Sequence, residues 1–166
     1  MSIQLSPADI PLPKREADVS LDIVREALRT LLATGEMVEC PCCGGVSKVY
    51  ARGIHAAMVR GLIKVASSSS GLPPSAFSRE EGGDFAKLTH WGLIEQTKET
   101  GAWAITNKGR RWLSGEITIP HKVLLYGSEV LGFDHSKLIH ASDVKKLGVD
   151  LGDILASWGP KQDAAE

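Results

Sequence analysis

Between Gly82 and Gly115 the chain carries an order of local signals that few folds can satisfy. A helical stretch from Asp84 to about Gly92 ends in Leu88-Thr89-His90-Trp91-Gly92-Leu93-Ile94. Leu88 and Leu93 are spaced to pack inward, Gly92 lets the backbone leave the helix, and Ile94 opens a strand. The polar tip Lys98-Glu99-Thr100-Gly101 predicts a hairpin between two short strands. Thr106-Asn107-Lys108-Gly109 then reads as a cap and turn, with Gly109 allowing close backbone approach, before the basic-aromatic segment Arg110-Arg111-Trp112-Leu113.

The remainder groups around this stretch. Residues 1–19, with Pro7, Pro11 and Pro13, predict an extended arm. Ser20 is an N-cap for a helix over about Leu21–Ala33, stopped by Gly35, with Leu21, Val24, Leu28, Leu31 and Leu32 on one face. Met37-Val38 and Val46 to Tyr50 predict short strands flanking a cysteine turn, so that residues 20–53 form one helix-and-hairpin segment. A core over 54–115 begins with a helix from about Ile54 to Ala66. After the serine run at 67–70, Pro73-Pro74 opens another from Ser75 to Glu81, which Gly82-Gly83 break before the helix at Asp84. Residues 116–159 predict a second hairpin about Gly127-Ser128, then a helix or two within the apolar run from Leu138 to Trp158; residues 160–166 predict a mobile tail. Alternating helical and strand patterns of this kind predict an α+β fold.

Cys40-Pro41-Cys42-Cys43-Gly44-Gly45 resembles the knuckle of zinc ribbons and rubredoxin-like sites. Two thiolates spaced C-x-x-C reach one ion, and glycines after them turn backbone N–H groups toward sulfur. Cys40 and Cys43 are therefore candidate ligands of a structural zinc. Structural zinc wants four ligands, and no second C-x-x-C exists. The others would come from His55, His90, His121, His135, His140 or a carboxylate. Alternatives are a tight turn with reduced thiols, or a catalytic thiol, for which no Cys/His/Asn arrangement is recognisable.

The order helix, Gly-Leu-Ile, hairpin, Thr-x-x-Gly is similar to the second half of a winged helix-turn-helix domain of the MarR type. The whole chain is loosely like small phage and prophage proteins that join a zinc-knuckle turn to a winged helix. The resemblance implies double-stranded DNA as partner and a role in transcription regulation. Lys87, Thr89 and His90 would lie on the recognition helix, and Lys98, Lys108, Arg110 and Arg111 would hold phosphates. Arg52, Arg60 and Lys64 would extend that patch.

Charge limits the reading. The net charge is −1, with 19 bases against 20 acids, so any DNA-binding face is a local patch rather than the whole surface. A protein–protein adaptor or inhibitor of a host complex on the same fold is the alternative. No P-loop, nucleophile elbow or dinucleotide fingerprint is present, so no enzyme is expected. No run of about 20 apolar residues predicts a membrane span. The N-terminus lacks a signal-peptide core, which points to the cytoplasm. Trp91, Trp103 and Trp112 read as core residues rather than a base-stacking platform.

Overall fold

The computed structural model describes residues 20–33, 35, 37–40, 43–98 and 100–157. The expected arm over 1–19, the tail over 160–166, Trp158 and the placement of Cys42 lie outside the described residues. The chain is α+β and divides into two compact units, Met1–Arg52 with Val123–Phe133, and Gly53–Lys122 with Asp134–Glu166.

In the first unit, α1 (Leu21–Leu32) starts where Ser20 Oγ accepts from Asp22 N–H at 3.3 Å. It ends as Gly35, at φ +84°, donates its N–H to Leu32 O at 3.0 Å. Val24, Leu28 and Leu32 are buried, with Val38, Cys40, Val49 and Tyr126 packed against them. That is the face expected from the leucine spacing, except that Leu21 stays exposed. The antiparallel pair β1 (Val38–Glu39) and β2 (Val46–Ser47) carries the cysteine turn, with Val38 opposite Ser47 and Glu39 opposite Val46. Arg29 ties α1 to the later hairpin, donating to Glu129 Oε2 from Nη2 at 2.5 Å and from Nε at 3.0 Å.

Three longer strands, β3 (Tyr50–Gly53), β6 (Ile119–Tyr126) and β7 (Glu129–Ile139), form one sheet in the order β3-β6-β7, and each contributes residues to both units. A Gly127-Ser128 turn joins β6 to β7, as expected.

The second unit is built on α2 (Ala56–Ala66), which buries Met58, Val59, Leu62 and Val65. Its neighbour α3 (Arg79–Phe85) runs straight through Gly82 and Gly83, where a break was expected. Two interior glycines cost roughly 1 kcal/mol each against alanine. Two supports offset that. Ser78 and Glu81 form a capping box, and Phe85 is buried, stacked on Phe77 at 4.4 Å and edge-on to Trp103 at 6.0 Å. Only a 3-10 turn, Pro74–Ala76, forms where a helix from Ser75 was expected.

The chain continues from α3 into a 3-10 segment, Ala86–Trp91. Gly92 closes it at φ +68°, a left-handed conformation that a side chain would resist. There Gly92 N–H donates to Thr89 O at 2.9 Å and Leu93 N–H to Leu88 O at 3.2 Å. The antiparallel hairpin of β4 (Ile94–Gln96) and β5 (Trp103–Ile105) follows in the register Ile94–Ile105, Glu95–Ala104, Gln96–Trp103. Leu72 pairs with the outer edge of β5 through two bonds to Trp103, at 2.9 and 2.8 Å.

Next comes α4 (Asn107–Leu113), capped by Thr106. Trp91 and Trp112 are fully buried, and each indole N–H has a carbonyl: Pro120 O at 2.8 Å and Ile139 O at 3.0 Å. Both are core residues, as expected. Within the run from Leu138, Leu138 and Ile139 end β7, a 3-10 turn forms at Ala141–Asp143, and the expected helix is α5 (Leu151–Ser157).

Candidate nucleic-acid interface and cysteine turn

The corner that joins the 3-10 segment, the hairpin and α4 is held by one side chain. Thr106 Oγ1 donates to Gly92 O at 2.7 Å and accepts from Gly109 N–H at 3.0 Å, while Thr106 N–H donates to Leu93 O at 3.1 Å. Gly109 is pressed so closely to this corner that a Cβ would lie 2.2 Å from Leu93 O. The corner therefore fixes α4 against the turn at Gly92, and Lys108 runs its stem beside Gly92.

At the hairpin tip, Thr97 N–H donates to Ala102 O at 2.8 Å and Gly101 N–H donates to Thr97 O at 2.9 Å. Gln96 Nε2 donates to Gly101 O at 2.8 Å. A loop so closed presents Lys98 outward; Glu99 lies outside the described residues. Lys98, Lys108 and Arg110 are exposed, and the ion pairs among the described residues leave all three out. Arg111 differs, lying 3.4 Å from Glu116.

The helical half offers less. Lys87 is paired with Asp84, which also accepts from His55 Nε2 at 3.2 Å. The Lys87 ammonium, aided by His55, holds the Asp84 carboxyl below the usual aspartate range despite partial burial. Burial, with the charge of Lys87, pushes the His90 imidazole down, so it is neutral at neutral pH and is no phosphate-binding cation. Thr89 donates its hydroxyl to Ala86 O at 2.7 Å. Of the further cations expected in the patch, Arg60 donates to Lys146 O and Leu147 O at 3.4 Å, and Lys64 pairs with Glu81 at 2.9 Å. Arg52 belongs to the first unit, where its guanidinium lies over the Tyr50 ring.

Backbone hydrogen bonds close the cysteine turn. Cys40 N–H donates to Gly45 O at 2.7 Å and Gly44 N–H to Cys40 O at 2.8 Å, with Gly44 at φ +70°. A Cβ on Gly45 would stand 3.3 Å from Cys43 Sγ, so glycine there leaves room for the sulfur. Among the described residues, no group of three or more His, Cys, Asp or Glu side chains gathers to hold a metal. Of the expected histidine ligands, His55 precedes α2, His90 is in the 3-10 segment, His121 is on β6, His135 on β7, and His140 follows β7. No helix among the described residues is long and apolar enough to cross a membrane.

Comparison with family models, with curated proteins and with solved structures finds no match for this chain.

Proposed function

We propose that the protein is a non-enzymatic, DNA-binding regulator whose second unit is a winged helix. Hairpin β4–β5 is its wing, and residues 79–91 stand in the position of a recognition element. The observation that carries this reading is the cationic trio Lys98, Lys108 and Arg110. All three are exposed and outside the ion pairs among the described residues, and they flank a hairpin and corner of rigid backbone. Cations without acidic partners are what phosphate contact requires. With Lys87 paired to Asp84, the helical segment would contribute less to phosphate binding than the hairpin and α4. Cys40 and Cys43 would supply two of the four ligands that a structural zinc needs, and no third ligand gathers beside them among the described residues; metal content of the purified chain tests this.

The experiment is titration of a labelled mixed-sequence duplex with the full chain, at low and raised salt. The triple variant Lys98→Ala/Lys108→Ala/Arg110→Ala should bind at least about tenfold more weakly. Its salt slope should be shallower by about 2–3, at roughly 0.9 for each phosphate no longer neutralised. A triple variant that binds as tightly as the parent overturns the placement. A specific observation favours the second reading, a protein–protein adaptor: the ion pairs Lys87–Asp84 and Arg111–Glu116 neutralise two of the cations expected to contact DNA. Failure of the parent protein to retain duplex even at low salt replaces the first reading with the second.

A further inference from the structure

Outside the wing, one surface combines an aromatic ring with cations. Val46, Lys48 and the run from Tyr50 to Arg52 are exposed, while Ser47 and Val49 are half-buried. Tyr50 is 47% exposed and opens β3, an end strand of its sheet. The Lys48 ammonium lies 5.1 Å from the centre of the Tyr50 ring and the Arg52 guanidinium 5.7 Å. In the same unit Met37 and Val46 are each about 70% exposed, and Glu39 faces Val46 across the β1–β2 pair.

We infer that Tyr50, flanked by Lys48 and Arg52, is a stacking site for a single strand of nucleic acid. A base seated on the phenol ring would place its flanking phosphates beside the two cations. Lys48 precedes β3 and Arg52 lies within it, so each stands two residues from Tyr50 with its charge against the ring. The occupant is a single strand rather than a duplex, because a ring on an open strand edge needs a base that is free of its own stack. The cations now rest on the ring, and displacing them is easy. An exposed cation–π contact is worth about two- to fivefold in an equilibrium. Stacking of one base on an aromatic side chain is worth about 5- to 150-fold. The site is independent of the wing cations, so either proposal can fail alone.

The test is fluorescence anisotropy of a labelled oligothymidylate, of roughly 12–16 nucleotides, titrated with the full chain at low salt. Tyr50→Ala should weaken binding about 5- to 150-fold, while Tyr50→Phe, which keeps the ring, should bind within about twofold of the parent. Lys48→Ala/Arg52→Ala should flatten the salt slope by about 1.4, at roughly 0.7 for each phosphate of a single strand. If Tyr50→Ala does not fold, the double variant of the two exposed cations decides by itself. No retention of the oligonucleotide at low salt overturns the inference, as does parental affinity in Tyr50→Ala. It is also overturned if binding is lost in the Lys98/Lys108/Arg110 triple variant instead, or if anionic vesicles or an acidic peptide bind while the oligonucleotide does not.

Discussion

Replacing Gly109 by alanine tests the corner on which the β4–β5 hairpin depends. A Cβ at this position would stand 2.2 Å from Leu93 O and 2.8 Å from Ile105 Cγ1. An ordinary carbon–oxygen contact is roughly 3.3 Å, so about 1 Å of movement is needed. Leu93 O is backbone and already accepts from Thr106 N–H, so it cannot swing aside as a flexible side chain would. The first turn of α4 must move, and the two bonds made by Thr106 Oγ1 move with it. Overpacking costs about 1–3 kcal/mol, and two weakened hydrogen bonds add roughly 2 kcal/mol. The helix preference of alanine returns about 1 kcal/mol at most. The expected net loss is about 2–4 kcal/mol.

Gly83→Ala provides the opposite sign with the same chemistry. Gly83 lies exposed in α3 with nothing within 4 Å of where a Cβ would stand, so alanine should stabilise by about 0.5–1 kcal/mol. Urea unfolding followed by the fluorescence of buried Trp91 and Trp112 reads both variants. A Gly109→Ala midpoint indistinguishable from the parent would refute the reasoning, and so would a shift of both variants in the same direction.

Thr106→Val should cost about 1–2 kcal/mol in the same assay, because it removes the hydroxyl that both donates and accepts, while Thr106→Ser should lose under about 0.5 kcal/mol; equal losses would assign the effect to packing. Lys146 holds φ +61° with a side chain that disfavours it, so Lys146→Gly should raise the thermal midpoint by an amount worth about 0.5–1 kcal/mol. Glu81 accepts from Lys64 at 2.9 Å and from Ser78 N–H at 3.1 Å, and these partners hold its carboxyl below the usual glutamate range. Its folded value lies below its unfolded one, so its contribution is complete above the ordinary range and is lost as pH falls through the folded value. Stability measured from neutral pH downward should therefore fall less steeply in Glu81→Gln than in the parent, from a lower start; parallel curves would exclude this role.

Where a structure is set by neighbours in the chain, it is legible in the residues. Gly92-Leu93-Ile94 and Thr106 to Gly109 announce turn and cap by residue type alone, and both stand where they are expected. Gly82-Gly83 suggest a break that does not form, because the support for α3 is tertiary: Phe85 against Phe77 and Trp103, and Glu81 against Lys64. The apolar content around Leu138 suits a helix, although a strand extending from a hairpin satisfies its backbone equally well. At the site, Lys98, Lys108 and Arg110 can be read as exposed cations. Which cations find acids is not legible. The spacing of Asp84 and Lys87 permits pairing and does not decide it, and Lys64 meets an acid 17 residues away. The Lys-x-Tyr-x-Arg alternation at 48–52 is plain in the residues, but its meaning depends on the strand running past Tyr50 to Gly53, which the apolar pattern does not show.

The capping box of α3 has a kinetic consequence. Seven residues with two adjacent glycines cannot hold a helix in water on their own, since nucleation is costly and a single turn or two returns little. The Glu81 carboxylate collects Ser78 N–H, Ser78 Oγ and the Lys64 ammonium of α2 at one oxygen. The start of α3 is thus written on the surface of α2, and it exists only while α2 is docked. This segment is therefore expected to form after α2 during folding and to open before it under native conditions. Native-state hydrogen exchange should show its amides opening through excursions smaller than global unfolding; exchange as slow as that of α2 would refute this.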